Sequence, residues 1–180
     1  MSVPSDTPGA SQIDRIEAGL KRVAACFPDF PVPEFLLSRL IVMLGRDLAA
    51  THDRLLHPHG LSEPDFKVLM VLFSQDTGSA FPSELCARLA QSPANITRIS
   101  DGLVERGLIT RSLSEQDRRR MVLKITPQGE RLLHVFLPLM FVSVRQCFRG
   151  LSEKEVSSIT SLLKRVRDTI QAPSDPEDAR

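Results

Sequence analysis

The sequence predicts a mainly α-helical chain with one small β-hairpin. Apolar residues recur every three or four positions along most of the chain, which is typical of amphipathic helices. Two short runs of alternating, branched residues, 108–111 and 121–125, flank a polar loop and indicate the hairpin. Between Phe81 and Thr126 the predicted order is helix, turn, helix, hairpin. That order is the layout of a winged helix-turn-helix, a fold that reads duplex DNA.

The two helices of this motif have recognisable start and stop signals. Pro82 suits the first turn of the first helix, where a missing N–H costs little. Ser92 is predicted to cap the second helix, with Pro93 at its first position. Gly107 is predicted to follow its end, because glycine readily adopts the left-handed conformation needed there. The second helix is therefore expected to run from Pro93 to Arg106.

The first turn of the second helix carries small and polar side chains. Such residues enter a major groove and bond to base edges or phosphates. Free N–H groups at a helix N-terminus also favour a phosphate. The predicted DNA-binding residues of this helix are Ser92, Ala94, Asn95, Thr97 and Arg98. The alternative interpretation is an ordinary solvated helix start. The charge of the hairpin distinguishes between these two interpretations.

The hairpin loop ends in three consecutive arginines, Arg118, Arg119 and Arg120. From Arg98 to Lys124 the chain carries a net charge of +3, whereas the whole chain carries only +1. The basic excess therefore lies where a duplex would dock. A run of charge is usually only a solvated surface. At a hairpin tip that follows a helix-turn-helix, it favours contact with DNA.

Several short motifs in and around this region carry a family resemblance. They are Pro82-Ser83-Glu84-Leu85, Asn95, Thr97-Arg98-Ile99, Asp101, Glu105-Arg106-Gly107, Asp117-Arg118-Arg119, Leu123, Thr126 and Gly129. Further matches are Asp29-Phe30-Pro31, Leu37-Ser38-Arg39-Leu40 and Leu137-Pro138. With these motifs the chain resembles the MarR family of bacterial transcription regulators over most of residues 29–170. Within the family it is most similar to the EmrR (MprA) type, which represses multidrug-efflux operons.

The resemblance implies a homodimeric repressor of efflux or stress genes that binds a pseudo-palindromic operator. It implies that Arg119 enters a minor groove, with Arg118 beside it for groove or phosphate contact. Asp101 and Asp117 would orient Arg119 through ion pairs. The alternatives are that Asp117 only forms a turn and that Asp101 is only a solvated helix residue.

The resemblance also implies release from DNA by a small aromatic or phenolic ligand, bound between the dimer helices and the DNA-binding lobe. Adaptable methionines, aromatic rings and one cation would suit such a ligand. The candidate ligand-binding residues are Met43, Arg46, Phe66, Met70, Phe73, Phe136 and Met140. For any one of them the alternative is ordinary core packing or a surface arginine.

The rest of the chain is read as helical segments on either side of the motif. The predicted regions are a disordered N-terminus (1–10), N-terminal dimerisation helices (11–60), the winged helix-turn-helix (61–126), C-terminal dimerisation helices (127–171) and a disordered tail (172–180). Prolines keep Phe27–Pro33 out of a helix, and a long helix is expected from Glu34 to Leu56. Pro138 is expected to kink or break the helix that begins at Pro127. Symmetric half-sites in DNA require two copies of a winged motif, which geometry alone makes a reason for dimerisation.

The cysteines and the hydropathy indicate the compartment. Cys26, Cys86 and Cys147 are odd in number and far apart, so no disulfide framework is expected and a cytoplasmic location is predicted. No run of about 18 apolar residues occurs, so no contact with a membrane is expected. If Cys86 were activated by the nearby Arg88, the chain would be a thiol-responsive regulator, although a buried inert cysteine is the usual case.

Three other functions are less well supported by the sequence. His52, His57 and His59 with Asp53 would make a metal-responsive regulator, but Pro58 limits their convergence, and no metal or other cofactor is expected. The common catalytic motifs for nucleophile elbows, phosphate loops, zinc proteases and dinucleotide binding are absent from the sequence, so no enzyme is predicted. A protein-interaction module that does not bind DNA is the last alternative.

Overall fold

The computed structural model of the protein describes residues 11–114 and 117–172. The helices are α1 (Gln12–Cys26), α2 (Val32–Leu56), α3 (Glu63–Phe73), α4 (Pro82–Leu89), α5 (Pro93–Glu105), α6 (Pro127–Cys147) and α7 (Glu153–Gln171). The strands are β1 (Ser79–Ala80), β2 (Ile109–Leu113) and β3 (Met121–Ile125), and a single 3-10 turn, His57–His59, follows α2. The predicted fold class, mainly helical with a small hairpin wing, is confirmed. The disorder predicted for 1–10 and for 173–180 lies outside the described residues.

The chain divides into two units, one up to His57 and one from Pro58. The first unit consists of α1 packed against α2, with the Phe30 and Phe35 rings 4.4 Å apart at the loop between them. Helix α2 leaves a series of large apolar side chains exposed. They are Phe35, Leu37, Ile41, Val42 and Leu44. Within the described ranges no helix combines the length and the apolar character that crossing a bilayer requires.

The second unit holds a three-stranded antiparallel sheet in the order β1-β3-β2. In the hairpin, Arg111 lies opposite Leu123 and Leu113 lies opposite Met121. The sequence predicts this hairpin but misses β1, which is only two residues long and pairs Ala80 with Leu123. A strand this short has no alternation of its own to detect, because it exists only through its partner.

Helices α3 to α6 and the sheet enclose one hydrophobic core. Its fully buried side chains come from every one of these helices and from β2 and β3. They include Val68, Leu69, Leu72, Leu85, Ile96, Leu103, Ile109, Leu123, Leu133 and Phe136. Burying each such side chain stabilises the fold by about 1.5–3 kcal/mol before entropy is counted. This core fixes α5 and the hairpin with respect to each other within one unit.

Serine caps define the starts of several helices: Ser92 caps α5 as predicted, and Ser62 and Ser152 cap α3 and α7. The Ser152 hydroxyl accepts from the Glu155 N–H, and the Glu155 carboxylate accepts from the Ser152 N–H at 2.8 Å. The side-chain and backbone hydrogen bonds from Ser152 lower the pKa of Glu155. Ser152 and Glu155 therefore form a capping box at the start of α7.

The structure corrects one prediction about proline and removes one of the two alternatives in another. Helix α2 begins at Val32 and includes Pro33, because proline is tolerated in the first turn, where its N–H would be unpaired anyway. Helix α6 continues through Pro138 without the predicted break. Pro138 is exposed, so water can reach the His134 carbonyl that the proline leaves without its helical donor.

The start of α6 is fastened to the end of α5. The Thr126 hydroxyl donates to the Gly107 carbonyl at 2.7 Å and accepts from the Gly129 N–H at 3.1 Å. A Cβ atom added at Gly129 would collide with the Leu108 carbonyl oxygen and lie 2.9 Å from Ile125 Cγ1. Only glycine therefore lets the first turn of α6 approach this backbone so closely.

Candidate nucleic-acid interface

The N-terminal turns of α5 are exposed on one side and buried on the other. Ile96, Ile99 and Leu103 lie in the core, whereas Thr97 and Arg98 are exposed. Helix geometry causes this division, since residues three and four apart share a face. Ser92 and Ala94 are also exposed and Asn95 is half-buried, so all five predicted residues of this helix lie at its accessible start.

The polar side chains at this start are connected to one another. The Arg98 guanidinium donates to Asn95 Oδ1 at 2.9 Å, and the Asn95 Nδ2 donates to Gln91 Oε1. The Thr97 hydroxyl donates to the Pro93 carbonyl at 3.0 Å. Gln91 is not among the residues predicted for this interface. Its role depends on the turn that brings it beside Asn95, four residues later, which residue types alone do not reveal.

The other end of α5 is anchored by Arg106. Its guanidinium donates to the Gly60 carbonyl at 2.6 Å and to the His59 carbonyl at 3.1 Å. Gly107 follows at a φ of 68°, in the left-handed region, as predicted for a helix that ends in glycine. The helix is thus fixed at its C-terminal end by backbone acceptors, while its N-terminal end is open to a ligand.

Among the described residues of the wing tip, hydrogen bonds to the backbone rather than ion pairs determine the shape. Asp117 Oδ1 accepts from the Arg119 N–H at 3.0 Å, and the Asp117 carbonyl accepts from the Arg120 N–H at 2.9 Å. Asp117 therefore forms a turn, which is the alternative to the predicted ion pair with the Arg119 side chain. Among the described residues the side chains of Arg118 and Arg119 have no hydrogen-bond or ion-pair partner, and both are exposed.

Asp101 pairs with a different arginine from the one predicted. Its Oδ1 lies 2.6 Å from Arg111 Nη2, so the ion pair joins α5 to strand β2 rather than to Arg119 at the tip. The hairpin register places Arg111 next to the helix, and a register cannot be read from a charge pattern. Asp101 still connects the helix to the wing, but it acts on the base of the wing.

Arg120 differs from its two neighbours. Its guanidinium carbon lies 3.6 Å from the centre of the Phe81 ring, in a cation–π contact with the residue before α4. Its carbonyl also accepts from the Ser114 N–H at 2.9 Å. Arg120 was predicted to contact DNA together with Arg118 and Arg119. In the structure it holds the wing against the helical part of the unit.

The predicted ligand residues are distributed over both units. Met43 and Arg46 belong to the first unit, and the other five belong to the second. Phe136 and Met140 are buried, and the Phe136 ring meets the Phe66 ring edge-on at 5.2 Å. Phe66, Met70 and Phe73 are half-buried.

A separate cleft of about 370 Å³ lies between the end of α5 and the start of α6. Its walls combine two guanidinium groups and a histidine with aliphatic side chains. The lining residues are His59, Arg106, Leu108, Gln128, Arg131, Leu132 and Val135. It contains no carboxylate among these residues, so its chemistry suits a small organic anion with an apolar body.

The residues of the two alternative modes of regulation have ordinary surroundings. Cys86 is half-buried, and Arg88, its candidate activator, donates to Gln75 Oε1 at 3.3 Å. His59 packs its ring edge-on against Phe136 at 5.7 Å. Among residues 11–114 and 117–172, no three His, Cys, Asp or Glu side chains come together in a way that could hold a metal ion.

Comparison with known proteins places these features in context. Residues 61–121 match the model of the MarR family. The chain is 35% identical to the transcriptional repressor MprA of Escherichia coli K12 over 156 residues, which is 87% of this chain and 89% of that protein. A mutant of Escherichia coli MarR complexed with operator DNA is 25% identical, with a TM-score of 0.67 over 79% of this chain and 96% of that one. AbsC from Streptomyces coelicolor, at 22% identity and a TM-score of 0.72, covers 78% of this chain and 96% of its own, and shows the shared fold.

Proposed function

Because this chain belongs to the MarR family, we propose that it is a homodimeric transcriptional repressor that binds a pseudo-palindromic operator in duplex DNA. The start of α5 would enter the major groove, and Arg118 and Arg119 would reach the neighbouring minor groove or its phosphates. By likeness to the efflux-repressor subgroup, the regulated genes would encode efflux or stress functions. Nothing about the family or its relatives indicates an enzyme.

One observation carries this proposal. The exposed start of α5 and two exposed wing arginines, whose side chains have no partner among the described residues, belong to one packed unit. The Asp101–Arg111 ion pair joins the helix to the wing. Unpaired guanidinium groups are well hydrated, and they gain most when a phosphate or a narrow groove replaces that water. A relative of 25% identity has been solved on operator DNA, which supports the same use of the shared fold.

The proposal is tested by gel-shift titration on the DNA upstream of the chain's own gene, with random duplex as competitor and salt varied. We expect specific binding, and we expect Arg119→Ala to weaken it by about 1–3 kcal/mol. Arg165→Ala, which removes the same charge from α7, is the control. Equal affinity for upstream and random DNA at every salt concentration would contradict the proposal.

The proposed dimer is supported by the apolar face of α7. This helix buries none of its residues, although its apolar side chains recur on one face. They are Val156, Ile159, Leu162, Leu163, Val166 and Ile170. Large apolar side chains are also exposed on α6, among them Val135, Leu139, Phe141 and Val142. A surface of this kind needs a partner, and a second copy of the chain would supply both reading heads.

Light scattering on the purified chain tests the dimer. We expect the mass of two chains for the wild type and of one chain for the double variant Ile159→Glu/Leu162→Glu. Ser161→Glu, on the opposite face of α7, should leave the dimer intact. A wild-type mass of one chain at micromolar concentration would contradict this part of the proposal.

We further propose that a small aromatic or phenolic anion releases the protein from DNA. The cleft next to Arg106 and Arg131 is a candidate site, besides the predicted residues around Phe66. A ligand there releases DNA only if it binds the free conformation better than the bound one. Salicylate is the probe: it should lower operator affinity, and Arg131→Ala should raise the salicylate concentration required. If Arg131→Ala leaves that concentration unchanged and Phe66→Leu raises it, the predicted residues form the site instead.

A further inference from the structure

Three side chains at the start of α5 form a directed chain of hydrogen bonds, here called the Gln91–Asn95–Arg98 relay. Gln91 precedes the helix, Asn95 lies in its first turn and Arg98 lies one turn further on. Arg98 Nη2 donates to Asn95 Oδ1 at 2.9 Å, and Asn95 Nδ2 donates to Gln91 Oε1. The Asn95 N–H is held as well, by the Ser92 hydroxyl at 3.2 Å.

The direction of this relay follows from chemistry. A guanidinium group has donors and no acceptor, so Asn95 must turn its oxygen towards Arg98. The Asn95 amide nitrogen then faces Gln91, which must accept the hydrogen bond through its own oxygen. Both amide oxygens are engaged within the relay, and the hydrogens that remain on Gln91 Nε2, Asn95 Nδ2 and Arg98 are donors.

Such a surface suits some base pairs better than others. In the major groove guanine presents two acceptors, N7 and O6, whereas adenine presents the acceptor N7 beside the donor N6. A free asparagine recognises adenine by offering an oxygen and an N–H together. In the relay one lone pair of the Asn95 oxygen accepts from Arg98, whereas Gln91, Asn95 and Arg98 keep several free N–H donors. A base edge with two acceptors therefore matches this surface better than an edge that pairs an acceptor with a donor.

We propose that the Gln91–Asn95–Arg98 relay makes the start of α5 a reader of guanine, and that Gln91 is the positioning residue that sets this preference. The proposal rests on the proposed function, in which α5 enters the major groove. Gln91 acts through Asn95 because it accepts from Nδ2 and so fixes the amide against rotation. Without Gln91 only the Arg98 contact holds the Asn95 oxygen, and an adenine can compete for that oxygen. Sequence preference, rather than affinity, is therefore the property that Gln91 controls.

The experiment begins with selection of operator half-sites from random duplexes by the wild-type protein. Each guanine of the selected half-site is then replaced by 7-deazaguanine, which lacks the N7 acceptor, or by adenine. We expect both replacements to weaken binding by about tenfold at one position or at two adjacent positions of the half-site. At the same position Gln91→Ala should reduce the preference for guanine over adenine by about tenfold, with an unchanged salt dependence.

Matched variants separate this role from a structural one. Gln91→Glu keeps an acceptor for Asn95, so it should retain the guanine preference while its added negative charge weakens all duplexes equally. Gln146→Ala, on α6, should change neither property. Thermal melts should show the same stability for Gln91→Ala and the wild type, because Gln91 lies outside the helices.

The outcomes distinguish the relay from the proposed function. Absence of any sequence preference for duplex DNA in the selection would overturn both. Specific binding that tolerates 7-deazaguanine at every position, or a full guanine preference in Gln91→Ala, would overturn the relay alone.

Discussion

The start of α5 and the tip of the wing carry the same kind of side chain but hold it differently. At the helix the Arg98 guanidinium is tied to Asn95, which is tied in turn to Gln91. At the wing tip the side chains of Arg118 and Arg119 are exposed, and the Asp117 carboxylate binds the Arg119 backbone instead of its guanidinium group. A group that reads a base must be oriented before binding, because orientation is what distinguishes one base from another. A group that neutralises phosphate binds through its charge and the length of its side chain, and neither requires a fixed orientation.

The comparison indicates that the start of α5 determines sequence preference and that the wing tip determines overall affinity, a division of work between the two regions. Substitutions at the helix should change which sequences are bound. Substitutions at the wing tip should change how tightly every sequence is bound and how strongly salt competes. Arg120 is the exception among the wing arginines, because its guanidinium group packs on the Phe81 ring and connects the wing to the helices.

The largest effect is expected when both exposed wing arginines are removed. Arg118→Ala/Arg119→Ala should weaken operator binding by about 100-fold and reduce the slope of log affinity against log salt by about two. The preference among operator variants should survive. Arg15→Ala/Arg22→Ala on α1 removes equal charge as the control. A lost sequence preference with an unchanged salt slope would show that the wing reads bases, and the division of work would be wrong.

A smaller effect should separate Arg120 from its neighbours. A double-mutant cycle with Phe81→Leu and Arg120→Ala, followed by chemical denaturation, should give a coupling of about 1 kcal/mol. Phe81→Leu should also weaken operator binding a few-fold, because the wing loses its contact with the start of α4. The salt slope should stay the same in Phe81→Leu, since the charge remains. Independent effects of the two substitutions on stability would mean that the contact contributes nothing.

A weaker link is expected at the base of the wing. Asp101→Asn breaks the ion pair with Arg111, whose side chains are 57% and 34% exposed, so the loss of unfolding free energy should be about 0.5 kcal/mol. The loss should shrink in 1 M salt, because ions screen an exposed pair. Asp53→Asn, at an exposed aspartate of α2, is the control. A loss that salt does not change would point to packing instead of charge.

The smallest effect should come from within α5. The Ser100 hydroxyl is buried, and no hydrogen-bond partner for it occurs in the described part of the chain. Ser100→Ala should therefore leave stability unchanged or raise it by up to about 1 kcal/mol, without altering operator preference. Ser158→Ala, on exposed α7, corrects for the higher helix propensity of alanine. A clear destabilisation would show that the hydroxyl has a partner such as a bound water.

Local patterns were enough to predict most of the fold. Ser92, Pro93 and Gly107 mark the ends of α5 because capping and the left-handed conformation depend on residue type at fixed offsets. The contacts between segments could not be predicted in this way. Whether Asp101 meets Arg111 or Arg119 depends on the register of the hairpin, and whether Arg120 meets Phe81 depends on how the wing packs.

The relay shows the same limit on a smaller scale. Asn95 and Arg98 were expected at the interface because of their residue types and positions. Gln91 was not, since it has no helical pattern and gains its partner only when the turn before α5 closes. Residues that position others are thus harder to find from sequence than residues that make contact themselves.

The close approach at Gly129 has a consequence for how this protein can change over generations. A side chain of any size there would meet the Leu108 carbonyl and Ile125. A Cβ at Gly45, Gly102 or Gly150 would meet no atom within 4 Å. If a library of variants were sorted for folded protein, we expect position 129 to remain glycine while these three positions accept many residues. We therefore expect that substitutions on the exposed surface of α5 can change the operator that is bound. The turn that supports the far end of this helix, in contrast, requires glycine at position 129.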